Sequence, residues 1–124
     1  MHTVLIVDDE YLIADILGMA LEEEGYRVVT ANSARKGLEL LKSARPSLVI
    51  TDYMMPGMNG AEFAAAIRTR PAYMRIPIVL MTGAQGTEGR AAPELFNRVF
   101  DKPFNMPPML AAIDELIRAA EQCG

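Results

Sequence analysis

The chain of 124 residues has one cysteine, Cys123, one histidine, His2, and three lysines. A lone cysteine has no partner for an intramolecular disulfide, which points to a reducing compartment, and Cys123 reads as an incidental thiol of the tail. His2 stands before the first apolar run with no helical pattern around it, so it reads as a surface residue and not as a phosphohistidine. Lys36, Lys42, Lys102 and the arginines are scattered singly in a chain of net charge -4, so no basic stripe points to nucleic acid. The first apolar run, 4–7, is short and ends in acids, which excludes a membrane span or a secretory signal there. A cytoplasmic protein without membrane contact is expected. Nor does a glycine-rich loop follow the first run: "DDEYLI" stands where a phosphate-binding loop is needed, which argues against a nucleotide site of that kind.

What is present is an apolar fraction of 51 % in a length that suits one compact domain. No linker or repeat divides residues 1–124. The run "TVLIV" is followed by Leu12, Ile13, Ile16, Leu17, Ala20 and Leu21 at helical spacing, ending near Gly25. "YRVVTA" gives a second strand, and Ser33 opens a helix that closes before Pro46. "SLVIT" at 47–51, a helix at 61–68, a strand at 76–82, a strand at 98–100 and a last helix at about 107–121 complete the order. Strands that are mostly continuous aliphatic runs, alternating with helices, indicate a parallel sheet covered on both faces. The expected fold class is α/β: one doubly wound (βα)5, flavodoxin-like domain with strand order 2-1-3-4-5.

Residues 82–97 break the pattern, with Gly83, Gly86, Gly89 and Pro93 where a fourth helix belongs. An interior glycine costs about 1 kcal/mol against alanine in a helix and proline about 3. The expectation is a short helix at 93–97 after a loop, or one that orders only with a partner.

Polar residues gather at the strand ends. Asp8 and Asp9 end the first, Asp52 follows the third, Thr82 ends the fourth and Lys102 follows the fifth. In an open parallel sheet the carboxyl ends of the strands face one crevice, and the order 2-1-3-4-5 puts the first and third side by side at its switch point. Three carboxylates converging there repel unless a cation lies among them, and oxygen donors without histidine or cysteine suit Mg²⁺. Asp52 can then act as a nucleophile toward a phosphoryl group, with Lys102 as a mobile positive charge and Thr82 as a hydroxyl donor. Taken singly, each of these residues has a plainer use as a cap, turn former or solvated side chain; the joint placement carries the argument. After Asp52, Pro56, Gly57 and Gly60 permit a tight loop, Met55 and Met58 pin it to the core, and Asn59 caps the next helix.

"VDDE", "DYMMPGMNG", "MTGA" and "DKPF" occur in order and at compatible spacings, and over essentially its whole length the chain resembles the receiver domain of bacterial two-component response regulators. The resemblance implies that Asp52 is the phosphoacceptor and that Asp9, Asp52 and the backbone carbonyl of Met54 bind Mg²⁺, with Asp8 acting through a metal-bound water. It implies that Thr82 and Lys102 contact the phosphoryl group and that the 102–103 peptide is cis. It also implies a histidine kinase or a histidine phosphotransfer protein as donor, and an unidentified target protein. The chain would signal by contact or relay the phosphate, and would catalyse only its own phosphorylation and dephosphorylation.

Val99 stands where receivers usually carry Tyr or Phe, with Phe100 beside it, which leaves the usual aromatic switch open. Met54 and Ala84 occupy positions that tune dephosphorylation in the family. With no further domain in the sequence, a stand-alone monomeric receiver is expected. Alternatives are a degenerate receiver that binds partners without phosphorylation, or a receiver excised from a hybrid histidine kinase. A phosphatase of the haloacid dehalogenase type needs an Asp-x-Asp-x-Thr arrangement after the first strand, which Asp8, Asp9 and Glu10 do not provide.

Overall fold

The computed structural model describes residues 2–83 and 86–123, so the expectations for Ala84 and for the Cys123 side chain lie outside the described residues. The order is β1 (Thr3–Val7), α1 (Tyr11–Glu23), β2 (Arg27–Ala31), α2 (Ala34–Ala44), β3 (Leu48–Asp52), α3 (Gly60–Arg68), β4 (Ile78–Thr82), α4 (Gly86–Arg90), β5 (Arg98–Asp101) and α5 (Met106–Cys123). A 3₁₀ turn at Pro71–Tyr73 lies between α3 and β4 and has no counterpart in the sequence reading. The strands form one parallel sheet in the order β2-β1-β3-β4-β5, as expected.

The central strands β1, β3 and β4 are buried at every position, which is why they read as unbroken aliphatic runs. The edge strands carry exposed residues, among them Arg27, Thr30 and Arg98. Alternation along each strand divides the core in two. Leu5, Val7, Val49, Ile78 and Leu80 pack with Leu41, Phe63 and Ile67 of α2 and α3, and Val4, Ile6, Ile50, Val79 and Met81 pack with Leu17, Leu21, Met109 and Ile113 of α1 and α5. Full burial of such a side chain stabilises the fold by roughly 1.5–3 kcal/mol.

The helix ends follow local chemistry. Gly25, at φ 96°, turns the chain from α1 into β2. The Ser33 hydroxyl accepts the Lys36 N–H at 3.2 Å and starts α2, and Arg45 at φ 48° ends it before Pro46. Asn59 and Glu62 form a reciprocal capping box at α3, with bonds of 2.8 and 2.9 Å. On α1 the apolar pattern is only partly buried: Leu17 and Leu21 face the core, whereas Leu12 and Ile16 lie in solvent.

The fourth helix differs from the expectation. It occupies Gly86–Arg90, the glycine-containing stretch, while residues 93–97 form turns. Its only buried residues are Gly86 and Gly89. A Cβ on Gly89 would come within 2.5 Å of Leu80 Cδ2, and one on Gly86 would collide with the Asp101 carboxylate and the Arg90 guanidinium. Gly89 lets the helix approach buried Leu80 of β4 and Val99 of β5 closely, a contact that is set against the propensity cost of glycine. Residues 93–97 are held in another geometry: Arg68 donates to the Leu95 carbonyl at 2.9 Å, and Asn97 exchanges two bonds with Ile78, at 2.8 and 2.9 Å.

Alternation also decides the aromatic position. Val99 packs toward α4 beside Leu80, whereas Phe100 faces the opposite layer and meets the Phe104 ring edgewise at 6.5 Å. Phe100 therefore does not stand in for an aromatic at 99.

Candidate phosphoacceptor site

Parallel register brings the reactive strand ends level. Val7 pairs with Thr51, Asp52 with Met81 and Thr82 with Asp101, so Asp8, Asp52, Thr82 and Lys102 emerge at one edge of the sheet. The backbone fixes each in turn: Asp8 donates its N–H to the Ala31 carbonyl at 3.1 Å, and Lys102 donates its N–H to the Thr82 carbonyl at 2.8 Å. The Lys102–Pro103 peptide is cis, as the resemblance implies. Thr82 is fully buried at the end of β4.

The loop after Asp52 is built as the sequence suggests. Met55 is buried, Met58 packs against the core, and Gly57 takes φ 84°. Gly60 donates its N–H to the Tyr53 carbonyl at 2.7 Å, and a Cβ there would lie 2.6 Å from the Asp52 carbonyl oxygen and 2.9 Å from Tyr53 Cα. Both neighbours are backbone, so neither can rotate away. Gly60→Ala is expected to cost about 1–3 kcal/mol in urea denaturation. Gly83→Ala, whose Cβ would meet nothing within 4 Å, is the matched control with a change of under about 0.5 kcal/mol. Equal stabilities would refute this account of the loop.

Lys102 reaches three carboxylates at once: Asp52 Oδ1 at 3.1 Å, Asp8 Oδ2 at 3.4 Å and Glu10 Oε1 at 3.6 Å. Asp8 and Asp52 are buried, and Glu10 is exposed. Burial pushes the Asp52 carboxyl above its usual range, against the hydrogen bond and charge of Lys102. Burial also raises Asp8, the Glu10 backbone bond opposes it, and the Asp52 charge adds to it. For Lys102 burial acts downward, but the hydrogen bond and charge of Asp52, joined by Asp8, prevail and raise it. The pocket therefore holds more negative charge than one ammonium balances.

The donor set suits a hard divalent cation. One carboxylate oxygen each from Asp8, Glu10 and Asp52 lies within 4.8 Å of the others, with no sulfur or imidazole among them. Asp9 is exposed and outside this group, although its charge also raises Asp52. Met54 is exposed in the loop after β3. Glu10 carries no signal in the sequence beyond being the third acid of "VDDE". His2 is remote from the pocket in contact terms, sharing a hydrogen bond with Ser47 at 2.9 Å and lying 3.4 Å from Glu121.

Residues 4–114 match the family model of the response regulator receiver domain. A probable chemotaxis protein CheY of Rhizobium etli is 36 % identical over 94 % of this chain and 92 % of its own length. The phosphate regulon transcriptional regulatory protein PhoB of Rhizobium meliloti is 32 % identical over 95 % of this chain but 53 % of its own, so the chain spans about half the length of that relative. Among solved structures, the Vibrio cholerae chemotaxis protein CheY4 superposes with a TM-score of 0.87 at 31 % identity, covering 94 % of this chain and 98 % of that one. Receiver domains bind Mg²⁺ at an acidic pocket, and here Asp8, Glu10 and Asp52 form an acidic cluster at the same end of the sheet. Sheet order, strand-end chemistry and these likenesses agree: the chain belongs to the response regulator receiver domain family.

Proposed function

We propose that the chain accepts a phosphoryl group on the Asp52 carboxylate from a phosphohistidine of a histidine kinase or histidine phosphotransfer protein, and then signals by protein contact or passes the phosphate on. The observation that carries this reading is the buried Asp52 carboxylate at the open end of β3, 3.1 Å from the Lys102 ammonium. In the transfer, an Asp52 oxygen forms the bond to phosphorus, the phosphorus–nitrogen bond of the donor breaks, and the departing imidazole takes up a proton. Lys102 and the Thr82 hydroxyl hold the phosphoryl oxygens. Asp9, Asp52 and the Met54 carbonyl, with Asp8 through water, would hold Mg²⁺, which neutralises charge as the carboxylate approaches the phosphoryl group. The reaction modifies the chain itself.

The surface beside the pocket supports a protein donor. Tyr11, Leu12, Ile16 and Met19 of α1 are all more than 60 % exposed. Of these, Ile16 lines a groove of about 420 Å³ together with Ile13, Leu17, Lys102, Pro103, Phe104 and Met106. Among the described residues no helix is long and apolar enough to cross a membrane, and the proposed setting is the cytoplasm.

Intact mass after incubation with acetyl phosphate and Mg²⁺ tests the reading. The expected result is one added phosphoryl group, absent with EDTA and absent in Asp52→Asn. No addition to a folded wild-type chain, or undiminished addition to Asp52→Asn, would refute it.

A further inference from the structure

Glu10 has no local structural use that accounts for its side chain. It holds the N-cap position of α1 without making a side-chain cap bond, and its own N–H is bound by Asp8 Oδ1 at 2.9 Å. Its carboxylate turns instead toward Lys102, 3.6 Å from Nζ, with the side chain 63 % exposed. Lys102 thus meets carboxylates at graded depth: Asp8 and Asp52 inside at 3.4 and 3.1 Å, Glu10 at the mouth. A divalent cation shared by the inner acids repels the ammonium, which sits on a four-carbon stem able to swing outward. An isolated exposed ion pair contributes little, because two side chains must be ordered to make it. Here the backbone of Lys102 is fixed to Thr82 at 2.8 Å and its side chain is mostly buried, so that ordering cost is largely met before Glu10 engages.

We propose that Glu10 is a positioning residue for Lys102: its carboxylate is the outer seat that keeps the ammonium at the pocket mouth, aimed at the incoming phosphoryl group, when the inner acids hold a cation. This rests on the reading of the site given above.

With only three lysines, the test is direct. The side-chain ¹⁵N signal of Lys102 is assigned in the full-length chain by its loss in Lys102→Arg and followed through a Mg²⁺ titration in wild type, Glu10→Gln and Glu10→Asp. In wild type, saturating Mg²⁺ is expected to shift the signal yet keep it distinct from that of solvated Lys42. In Glu10→Gln it is expected to move onto the Lys42 position, with Glu10→Asp between. The rate of phosphorylation by acetyl phosphate at saturating Mg²⁺ is expected to fall about 2–5-fold in Glu10→Gln, the size of one lost ion pair. Saturation removes any effect on cation affinity, and the exposed side chain leaves the fold intact.

Identical Lys102 signals in wild type and Glu10→Gln under Mg²⁺ would overturn the proposal. A wild-type chain that binds Mg²⁺ but takes no phosphoryl group would refute the phosphoacceptor reading, while the Lys102 signals would still decide the role of Glu10. No response of wild-type Lys102 to Mg²⁺ would likewise overturn the role of Glu10, while the phosphoacceptor reading is decided by the added mass.

Discussion

Lys102→Met is expected to destabilise the chain by about 2–4 kcal/mol in EDTA, because removing the cation from a group of buried acids leaves their charges uncompensated. Its ammonium has Asp52 at 3.1 Å and Asp8 at 3.4 Å, and the carboxylate side chains are 7 % and 0 % exposed. The loss should fall to a fraction of that value when Mg²⁺ is present, since a divalent ion supplies the missing positive charge. It should also shrink in Lys102→Met combined with Asp52→Asn, giving a coupling above about 1 kcal/mol in a double-mutant cycle. Urea denaturation of the four proteins measures this. A loss below about 0.5 kcal/mol, the ordinary range for a surface substitution, would mean that the pocket does not depend on the lysine.

The second large effect has the opposite sign. Asp52→Asn is expected to raise the melting temperature in EDTA at pH 7 by about 3–6 °C, or roughly 1 kcal/mol for a domain of this size. Burial raises the folded-state pKa of Asp52 above its ordinary 3.8, so the folded protein binds the proton more tightly than the unfolded chain does. Stability from this group is therefore present below the unfolded value and is lost as pH rises through the raised folded-state value. Asp8, raised by burial in the same way, acts with it. The gap between Asp52→Asn and wild type should thus open as pH climbs from about 4 and close when Mg²⁺ is added to the wild type. Comparing the two proteins cancels the acids they share. A variant less stable than wild type at pH 7 would show that the Lys102 ion pair outweighs the burial of Asp52.

These two effects describe one arrangement, a pocket kept short of positive charge. The sheet that creates it was legible because its cause is local and strong. Residues 48–50 and 78–81 are apolar without a break, since both faces of a central strand are covered, and the side chains that end the strands must emerge at the crevice. Ser33, Asn59 and Gly25 marked helix ends because capping and positive φ are properties of single residues.

What was not legible depended on neighbours far along the chain. Gly86 and Gly89 argue against a helix by propensity. They lie in one nonetheless, with Gly89 packed against buried Leu80 where a Cβ would crowd, and the sequence does not display that close approach. Residues 93–97 are the better candidates by propensity, but Arg68 takes the Leu95 carbonyl and Ile78 takes the Asn97 N–H, so their backbone groups are used elsewhere. Leu12 and Ile16 fit a buried stripe by spacing and lie exposed instead. Glu10 was hidden for a similar reason. An acid opening a helix is ordinary, and only the fold brings Lys102, far along the sequence, to 3.6 Å from it.

The central claim is that Asp52 is the phosphoryl acceptor, and reductive trapping tests it at the level of the residue. The chain would be incubated with acetyl phosphate and Mg²⁺, reduced with borohydride, digested and sequenced by mass spectrometry. An aspartyl phosphate is converted to homoserine under these conditions, so the expected result is homoserine at position 52 and unmodified aspartate at positions 8 and 9. Homoserine at either of those positions, or a phosphoryl group that survives reduction on a serine, threonine or histidine, would contradict the account.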